Sequence, residues 1–254
     1  MRPKFAGTFL MLPLNTQNYR RILVLTGAGV SQASGIPTFR GPSGQVSAEY
    51  YRLSDARNLP ELLPEMWAAN GNARKRLKEI EPNEAHLALA RWQNKWRGPE
   101  REITIVTQNV DGLHQRAGAS DVIEIHGSLM RSRCTNPDCS SKPSYDNFVP
   151  VPDKLQVPKC PVCGFDLRPD LTLFNEPLPT DSLARVKQIL RDCDLFLAVG
   201  TSGVVSPASD FVRGAAYAKA RTILVNLTPM EPKNHYFEEE YLGKAEEILL
   251  ELLD

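Results

Sequence analysis

An apolar run, Ile22-Leu-Val-Leu25, passes directly into Thr26-Gly-Ala-Gly-Val-Ser-Gln-Ala-Ser-Gly-Ile-Pro-Thr-Phe-Arg40. This junction limits what the chain can fold into more than any other stretch. Consecutive apolar residues without polar alternation read as a strand buried on both faces, which is the parallel-sheet signature. Gly27 and Gly29 then allow a tight turn and close backbone approach. Small residues continue through Ser31, Ala33 and Ser34, and predict a helix whose first amide groups aim back at the turn, a geometry that attracts pyrophosphate. Gln32 stands where the dinucleotide fingerprint carries its third glycine, so the glycines alone leave a plain strand-to-helix turn open. The run Gly35-Ile-Pro-Thr-Phe-Arg-Gly41 favours a ligand site, because a helix-breaking proline followed by an aromatic and an arginine serves no periodic packing.

Four further buried strands are predicted, within Glu102–Thr107, Val122–Ile125, Asp194–Val199 and Arg221–Asn226. Helical stretches alternate with them. Pro60–Glu79 places Leu62, Leu63, Met66 and Trp67 on one side, with Gly71 as an interruption. Pro82–Trp92 begins at its proline. The helix after Asp181 uses that residue as its cap and Leu183, Val186, Ile189 and Leu190 as its face. Glu238–Leu252 buries Leu242, Ala245, Ile248, Leu249 and Leu252. The expected class is α/β: a Rossmann-like parallel sheet with helices on both faces, plus a small zinc-binding module and a helical insertion. One domain is expected, with a large part over about 18–41, 82–130 and 180–254 and a small part over about 42–81 (helical) and 131–179 (zinc module). Ser43 to Val46 reads as a loop.

The small module rests on cysteines. Cys134 and Cys139 form one close pair, Cys160 and Cys163 another, and Cys160-Pro-Val-Cys-Gly164 is a knuckle whose glycine permits the bend. Four thiolates on one ion make a closed tetrahedral site, which is structural and leaves no position for a reacting water. Cys193, alone near a helix end, reads as a buried inert thiol. Thirty basic residues balance thirty acidic ones, so no global field points to nucleic acid or an anionic membrane, and no direct nucleic-acid binding is expected. No apolar run spans a bilayer. The opening segment Phe5–Leu14 holds a proline and lacks a cleavage signature, which favours a cytoplasmic protein.

Chemistry-bearing side chains gather where strands end. Gln108, Asn109 and Asp111 follow the second strand, and ligands of open parallel sheets sit at that end. These amide and carboxylate groups suit ribose hydroxyls or a carboxamide, although Asn and Asp-Gly are also ordinary strand-ending turn residues. His126 ends the third strand and can take a proton near neutrality. His86, His114 and His235 read as structural.

These motifs together resemble the sirtuin family, the NAD-dependent protein lysine deacylases. The resemblance runs from about Tyr19 onward and is carried by Gly27-Ala-Gly-Val-Ser31, Gly35–Arg40, Thr107-Gln-Asn-Val-Asp111, His126-Gly127, the four cysteines, Phe174-Asn-Glu176, Gly200-Thr-Ser202 and Asn226. It implies NAD as co-substrate and one structural Zn2+ on Cys134, Cys139, Cys160 and Cys163. It implies that Gly27, Ala28, Gly29 and Ser31 hold the pyrophosphate. Ile36, Pro37, Thr38, Phe39 and Arg40 would lie about the nicotinamide ribose, which Gln108 and Asn109 bind, while Val110 and Asp111 meet the carboxamide. Gly200, Thr201 and Ser202 would hold the adenosine half, and Asn226, Leu227 and the backbone near Ala245 would complete the adenine end. His126 would be the general base, taking a ribose hydroxyl proton after the acyl oxygen has displaced nicotinamide. Acyl-lysine proteins would be the substrates, meeting Phe174, Asn175 and Glu176. An ADP-ribosyltransferase or NAD glycohydrolase on the same scaffold is the alternative, and a non-catalytic NAD-sensing module is a third reading.

Two departures from the family pattern bear on substrate. Asn175 replaces the glycine of Phe-Gly-Glu. The branch that removes acidic acyl groups carries Tyr-x-x-Arg, and here the aligned residues are Gly71 and Arg74, which makes Arg74 the candidate for a succinyl carboxylate.

Overall fold

In a computed structural model, residues 13–38, 46–149, 156–203 and 205–253 are described. The strands are β1 (Arg21–Thr26), β2 (Glu102–Thr107), β3 (Val122–Glu124), β4 (Gly127–Cys134), β5 (Ser144–Tyr145), β6 (Leu167–Leu171), β7 (Leu195–Val199), β8 (Arg221–Asn226) and β9 (Glu239–Leu242). The helices are α1 (Ala48–Leu53), α2 (Leu59–Leu77), α3 (Glu84–Trp96), α4 (Leu113–Arg116), α5 (Thr180–Arg191), α6 (Phe211–Tyr217) and α7 (Ala245–Leu253). One sheet has the order β3-β2-β1-β7-β8-β9 and is parallel throughout. A second, three-stranded antiparallel sheet has the order β5-β4-β6.

Side-chain alternation divides the large sheet's core in two. Ile22 and Val24 of β1, with Ile103, Ile105, Leu195 and Leu197, meet Leu89 and Trp92 of α3 and Leu249 and Leu252 of α7. Leu23 and Leu25, with Phe196 and Ala198, meet Val186 and Leu190 of α5 and Phe211, Val212 and Ala215 of α6. All five residues of β7 are fully buried, as a central strand covered on both faces must be. Each large side chain so buried stabilises by roughly 1.5–3 kcal/mol.

The small lobe has a much thinner core of Leu63, Met66, Trp67 and Leu173. The Trp67 indole donates to the Leu167 carbonyl at 2.8 Å and so ties α2 to β6. One link between the lobes is Gly127. Its φ is +80°, and a Cβ there would stand 1.9 Å from the Asp170 carbonyl oxygen. Only glycine fits, so the chain leaves β3 and enters β4 at this residue. The predicted edge at 131 therefore cuts through β4.

Local expectations are corrected in four places. The segment predicted as one helix over Glu238–Leu252 is β9 followed by α7, because Glu239–Leu242 finds a free sheet edge at β8. Leu242 is consequently about half exposed, at 49%. Gly71 does not interrupt α2, since it lies buried inside a continuous helix. Asp181 lies in the first turn of α5 and makes no side-chain cap. The helix predicted after Gly27 is a 3-10 segment, Ala28–Ser34.

Candidate active site

The strand order reverses between β1 and β7, and ligands of such sheets sit in the crevice outside the carboxyl ends there. Two loops meet at that point, and they meet backbone to backbone. The Gly29 amide donates to the Gly200 carbonyl at 2.9 Å. A Cβ on Gly27 would lie 2.8 Å from Gly200 O, and one on Gly200 would lie 2.5 Å from the Val30 nitrogen. The glycines are required first by this contact between loops.

A buried polar network joins the loops after β1 and β2. Ser31 Oγ donates to Asp111 Oδ2 at 2.8 Å and accepts from Asn109 Nδ2 at 3.0 Å. Asn109 Nδ2 also reaches the Gly27 carbonyl at 3.0 Å. Thr26 Oγ1 donates to Thr107 Oγ1 at 2.9 Å, and Thr107 Oγ1 accepts the Asn109 amide at 3.1 Å. Gln108 Nε2 donates to Thr201 Oγ1 at 3.1 Å, and Asn226 Nδ2 to the Thr201 carbonyl at 3.3 Å. Thus Gln108, Asn109, Asp111, Thr201 and Asn226 are brought to one crevice. Burial raises the Asp111 pKa, against the Leu113 amide and Ser31 hydroxyl that stabilise its charge.

Two imidazoles support the network from behind. His86 Nε2 lies 3.3 Å from Ser31 Oγ, and His114 Nε2 lies 2.9 Å from Thr26 Oγ1. Their ring centroids are 4.8 Å apart. Burial lowers their pKa values to about 4 and about 3, with His86 itself adding to the shift of His114. Both are neutral scaffolding, as the sequence suggested, yet each touches a hydroxyl that orders the crevice.

His126 is half-buried at the end of β3, with Nδ1 2.9 Å from the Gln108 carbonyl. A carbonyl only accepts, so Nδ1 carries the hydrogen and Nε2 keeps the lone pair. Burial lowers the His126 pKa, with the Gln108 bond acting in the opposite sense. The ring is therefore neutral near pH 7 and basic at Nε2.

A cavity of about 870 Å³ opens beside this crevice. Ala28, Ser31, Ile36, Pro37, Thr38, Asn109, Val110 and Asp111 line one end of it. The opposite wall was not identified from sequence: Ala69, Asn70, Ala73 and Leu77 of α2 line it with Tyr50 and Leu129. Their spacing along α2 is helical, and it is the only sequence signal that marks them. Asn109 Oδ1 is buried and has no hydrogen-bond partner. An acceptor left open in a cavity-lining amide suits a ligand hydroxyl, and the residues present fit a dinucleotide.

Phe39 and Arg40 fall outside the described residues, as do Ser43 to Gln45. Ser202 and Leu227 are exposed, whereas the Ala245 side chain belongs to the sheet core. Arg74 is corrected outright, for it is fully buried and turned away from the cavity. It donates to the carbonyls of Leu129 (2.6 Å), Phe148 (2.9 Å) and Arg131 (3.0 Å), to Asp146 Oδ1 (2.6 Å) and to Ser132 Oγ (3.4 Å). With all its N–H groups engaged, it fastens α2 to β4 and has no donor for an acyl carboxylate. Arg76, two residues on, lines the cavity instead. Glu176 accepts from Arg133 at 2.7 Å, from Arg168 at 2.9 and 3.1 Å, and from the Leu173 amide. Burial raises its pKa, but these partners outweigh it and the net shift is downward. Phe174 stacks on Tyr51 at 4.8 Å.

The sulfurs of Cys134, Cys139, Cys160 and Cys163 all lie within 4.8 Å of one another, and none is in a disulfide. Tetrahedral Zn–S bonds of about 2.3 Å require sulfurs roughly 3.8 Å apart. Cys134–Cys163 at 3.4 Å and Cys139–Cys160 at 3.8 Å fit that figure. Backbone amides of Cys163 and Val162 lower the Cys160 pKa and favour its thiolate. Cys193 is buried, and burial pushes its thiol up to about 12.

Residues 27–207 match the Sir2 family. The chain belongs to the Sir2 family. An NAD-dependent protein deacetylase of Pyrobaculum aerophilum is 38% identical over 237 residues, covering 91% of this chain and 88% of that one. An NAD-dependent protein deacylase of Aquifex aeolicus is 40% identical, covering 81% and 82%. Among solved structures, a Sir2 homolog–NAD complex superposes with a TM-score of 0.79 at 31% identity, covering 91% of this chain and 87% of that one. Sir2 bound to acetylated peptide gives 0.77 at 27% identity, covering 92% of both. The Sir2 assignment agrees with the parallel sheet, its switch-point crevice and the cysteine cluster. No helix among the described residues is long and apolar enough to cross a membrane.

Proposed function

We propose that this chain is an NAD-dependent protein lysine deacylase. The observation that carries the reading is the pairing of His126 with the crevice: its Nδ1 is bound by the carbonyl of Gln108, a residue of the same dinucleotide-facing loop. Residues Gly27, Ala28, Gly29 and Ser31 would hold the pyrophosphate, Gln108 and Asn109 the nicotinamide ribose, and Val110 and Asp111 the carboxamide. Thr201 and Asn226 would hold the adenosine end. Bound NAD supplies an electrophilic ribose carbon and nicotinamide as leaving group. His126 Nε2 receives the proton of a ribose hydroxyl, and the low pKa keeps it ready to do so. Asn109 would orient the ribose and Asp111 the carboxamide, and the glycines would leave room for the phosphates. A zinc ion on the four thiolates, closed to water, would hold the small lobe together. Free thiols and balanced charge support a cytoplasmic setting.

The acyl group follows from the cavity wall. Most of the wall, Leu53, Met66, Ala69, Ala73, Leu77 and Leu129, is apolar or small, which supports acetyl and other neutral acyl groups, and Arg76 adds a cation to it. Arg74 offers nothing to a succinyl carboxylate.

Purified protein incubated with NAD and acetyl- or succinyl-lysine peptides tests this. Acyl-dependent nicotinamide release is expected, falling about 10²–10⁴-fold in His126→Ala. Release that needs no acyl peptide and survives that substitution would favour the transferase or glycohydrolase instead.

A further inference from the structure

Asn175 has a φ of 63°, in the left-handed region where residues with a Cβ are disfavoured and asparagine is among the best tolerated. It is exposed, so packing does not impose that conformation. Its side chain is fastened instead: Nδ2 donates to Asp55 Oδ1 at 3.1 Å. Asp55 belongs to a short strip paired with the same segment. The Phe174 amide donates to the Ser54 carbonyl at 2.7 Å, and the Ala56 amide to the Phe174 carbonyl at 3.0 Å. Asp55 is 3% exposed and is gripped by Arg57, whose backbone N, Nε and Nη2 donate at 3.0, 3.0 and 2.6 Å. A glycine would adopt this backbone unaided. An asparagine needs a bias, and the fixed carboxylate supplies one.

We propose that Asp55, held by Arg57, is a positioning residue for the acyl-lysine substrate: it keeps Asn175 left-handed and thereby sets the course of the Phe174–Glu176 segment, beside which the peptide would lie. The substrate half of this inference rests on the deacylase reading, whereas the brace rests on the hydrogen bonds above. Such a device lets an asparagine occupy a left-handed position that glycine would fill unaided.

The test is a kinetic cycle of wild type, Asp55→Ala, Asn175→Gly and the double variant, reading KM for an acetyl-lysine peptide and for NAD separately. Asp55→Ala should raise the peptide KM about tenfold, as loss of a hydrogen bond to a charged group implies, with the NAD KM little moved. In the Asn175→Gly background the same substitution should cost no more than about twofold. Asp55→Asn, which keeps an acceptor oxygen, should recover most of the loss. An equal peptide-KM penalty in both backgrounds, or a matching rise in the NAD KM, would overturn the proposal. A crystal structure of Asp55→Ala supplies a readout independent of turnover: Asn175 is expected to leave positive φ, and its staying near 63° also overturns the brace. If wild type releases no nicotinamide with any acyl peptide, the deacylase reading fails while that structure still decides the brace.

Discussion

The two walls of the cavity are held by opposite means. On the sheet side, order comes from backbone contact at Gly27, Gly29 and Gly200 and from mostly neutral side chains: Thr26, Ser31, His86, Thr107, Asn109 and His114. Asp111 is the one carboxylate among them. On the small-lobe side, order comes from charge. Arg74 meets Asp146, Arg168 meets Glu176, and Arg131 meets Asp170 and also Glu124, a carboxylate that β3 of the large sheet contributes. The difference follows from how much apolar surface each part buries. Fully buried strands stabilise the sheet, so its polar groups need only orient a ligand. The small lobe has few core side chains, so ion pairs hold it together with the zinc that the four cysteines would bind. Damage at a single point should therefore be severe in the small lobe and graded in the sheet.

The sharpest way to break this comparison is to remove the metal. Chelation, or Cys160→Ser, should unfold the small lobe, since structural zinc contributes roughly 10 kcal/mol or more of apparent folding energy. Hydrogen exchange should show β4 and β6 exposed while β1 and β7 stay protected, and uniform protection after chelation would refute the division. Next in size is Arg74→Ala. Deleting one partner of a buried ion pair costs about 3–5 kcal/mol, so the melting temperature should drop markedly. The ratio of acetyl to succinyl activity should not change, whereas a loss confined to succinyl peptides would return Arg74 to the acyl pocket.

The sheet side is tested by pH. In the unfolded chain a histidine takes up its proton near pH 6.5, but His86 and His114 remain neutral in the folded chain down to about 4 and about 3. Below about pH 6.5 the unfolded state binds more protons, so stability is complete above that value and falls as pH drops toward 4, by up to a few kcal/mol. Urea melts at neutral and acidic pH should show this, and His86→Asn with His114→Gln should flatten the slope. Because the His126 pKa is also lowered, the acidic limb of the rate profile should fall below the ordinary histidine value. The smallest effect belongs to an ion pair outside both walls. Arg185→Ala removes a half-exposed partner of Asp121 and should change stability by no more than about 1 kcal/mol, a value read from the same urea melts.

Much of the site was readable in order along the chain. The apolar runs mark β1, β2, β7 and β8 because strands buried on both faces tolerate nothing else. The cysteine spacing marks one metal centre because two short pairs have little other use. The place of Gln108, Asn109 and Asp111 in the crevice was readable because they follow a strand end directly. Arg74 was misjudged because sequence alignment gives a position on a helix and not the direction of a side chain, and only packing of α2 on β4 turns it inward. The link from Asp55 to Asn175 spans 120 residues, so no local pattern announces it. β9 was hidden because its edge exists only once β8 is in place.

Sequence alone determined the succession of buried strands, the glycines between them, the thiolate pairs and the imidazole at the end of β3, since each is a demand of local chemistry. Tertiary structure decided which carbonyl fixes the His126 tautomer, which face of α2 lines the cavity, which arginine is locked away and how an asparagine is kept left-handed. Those choices depend on groups distant in the chain arriving within a hydrogen bond of one another, and only the closed fold brings them there.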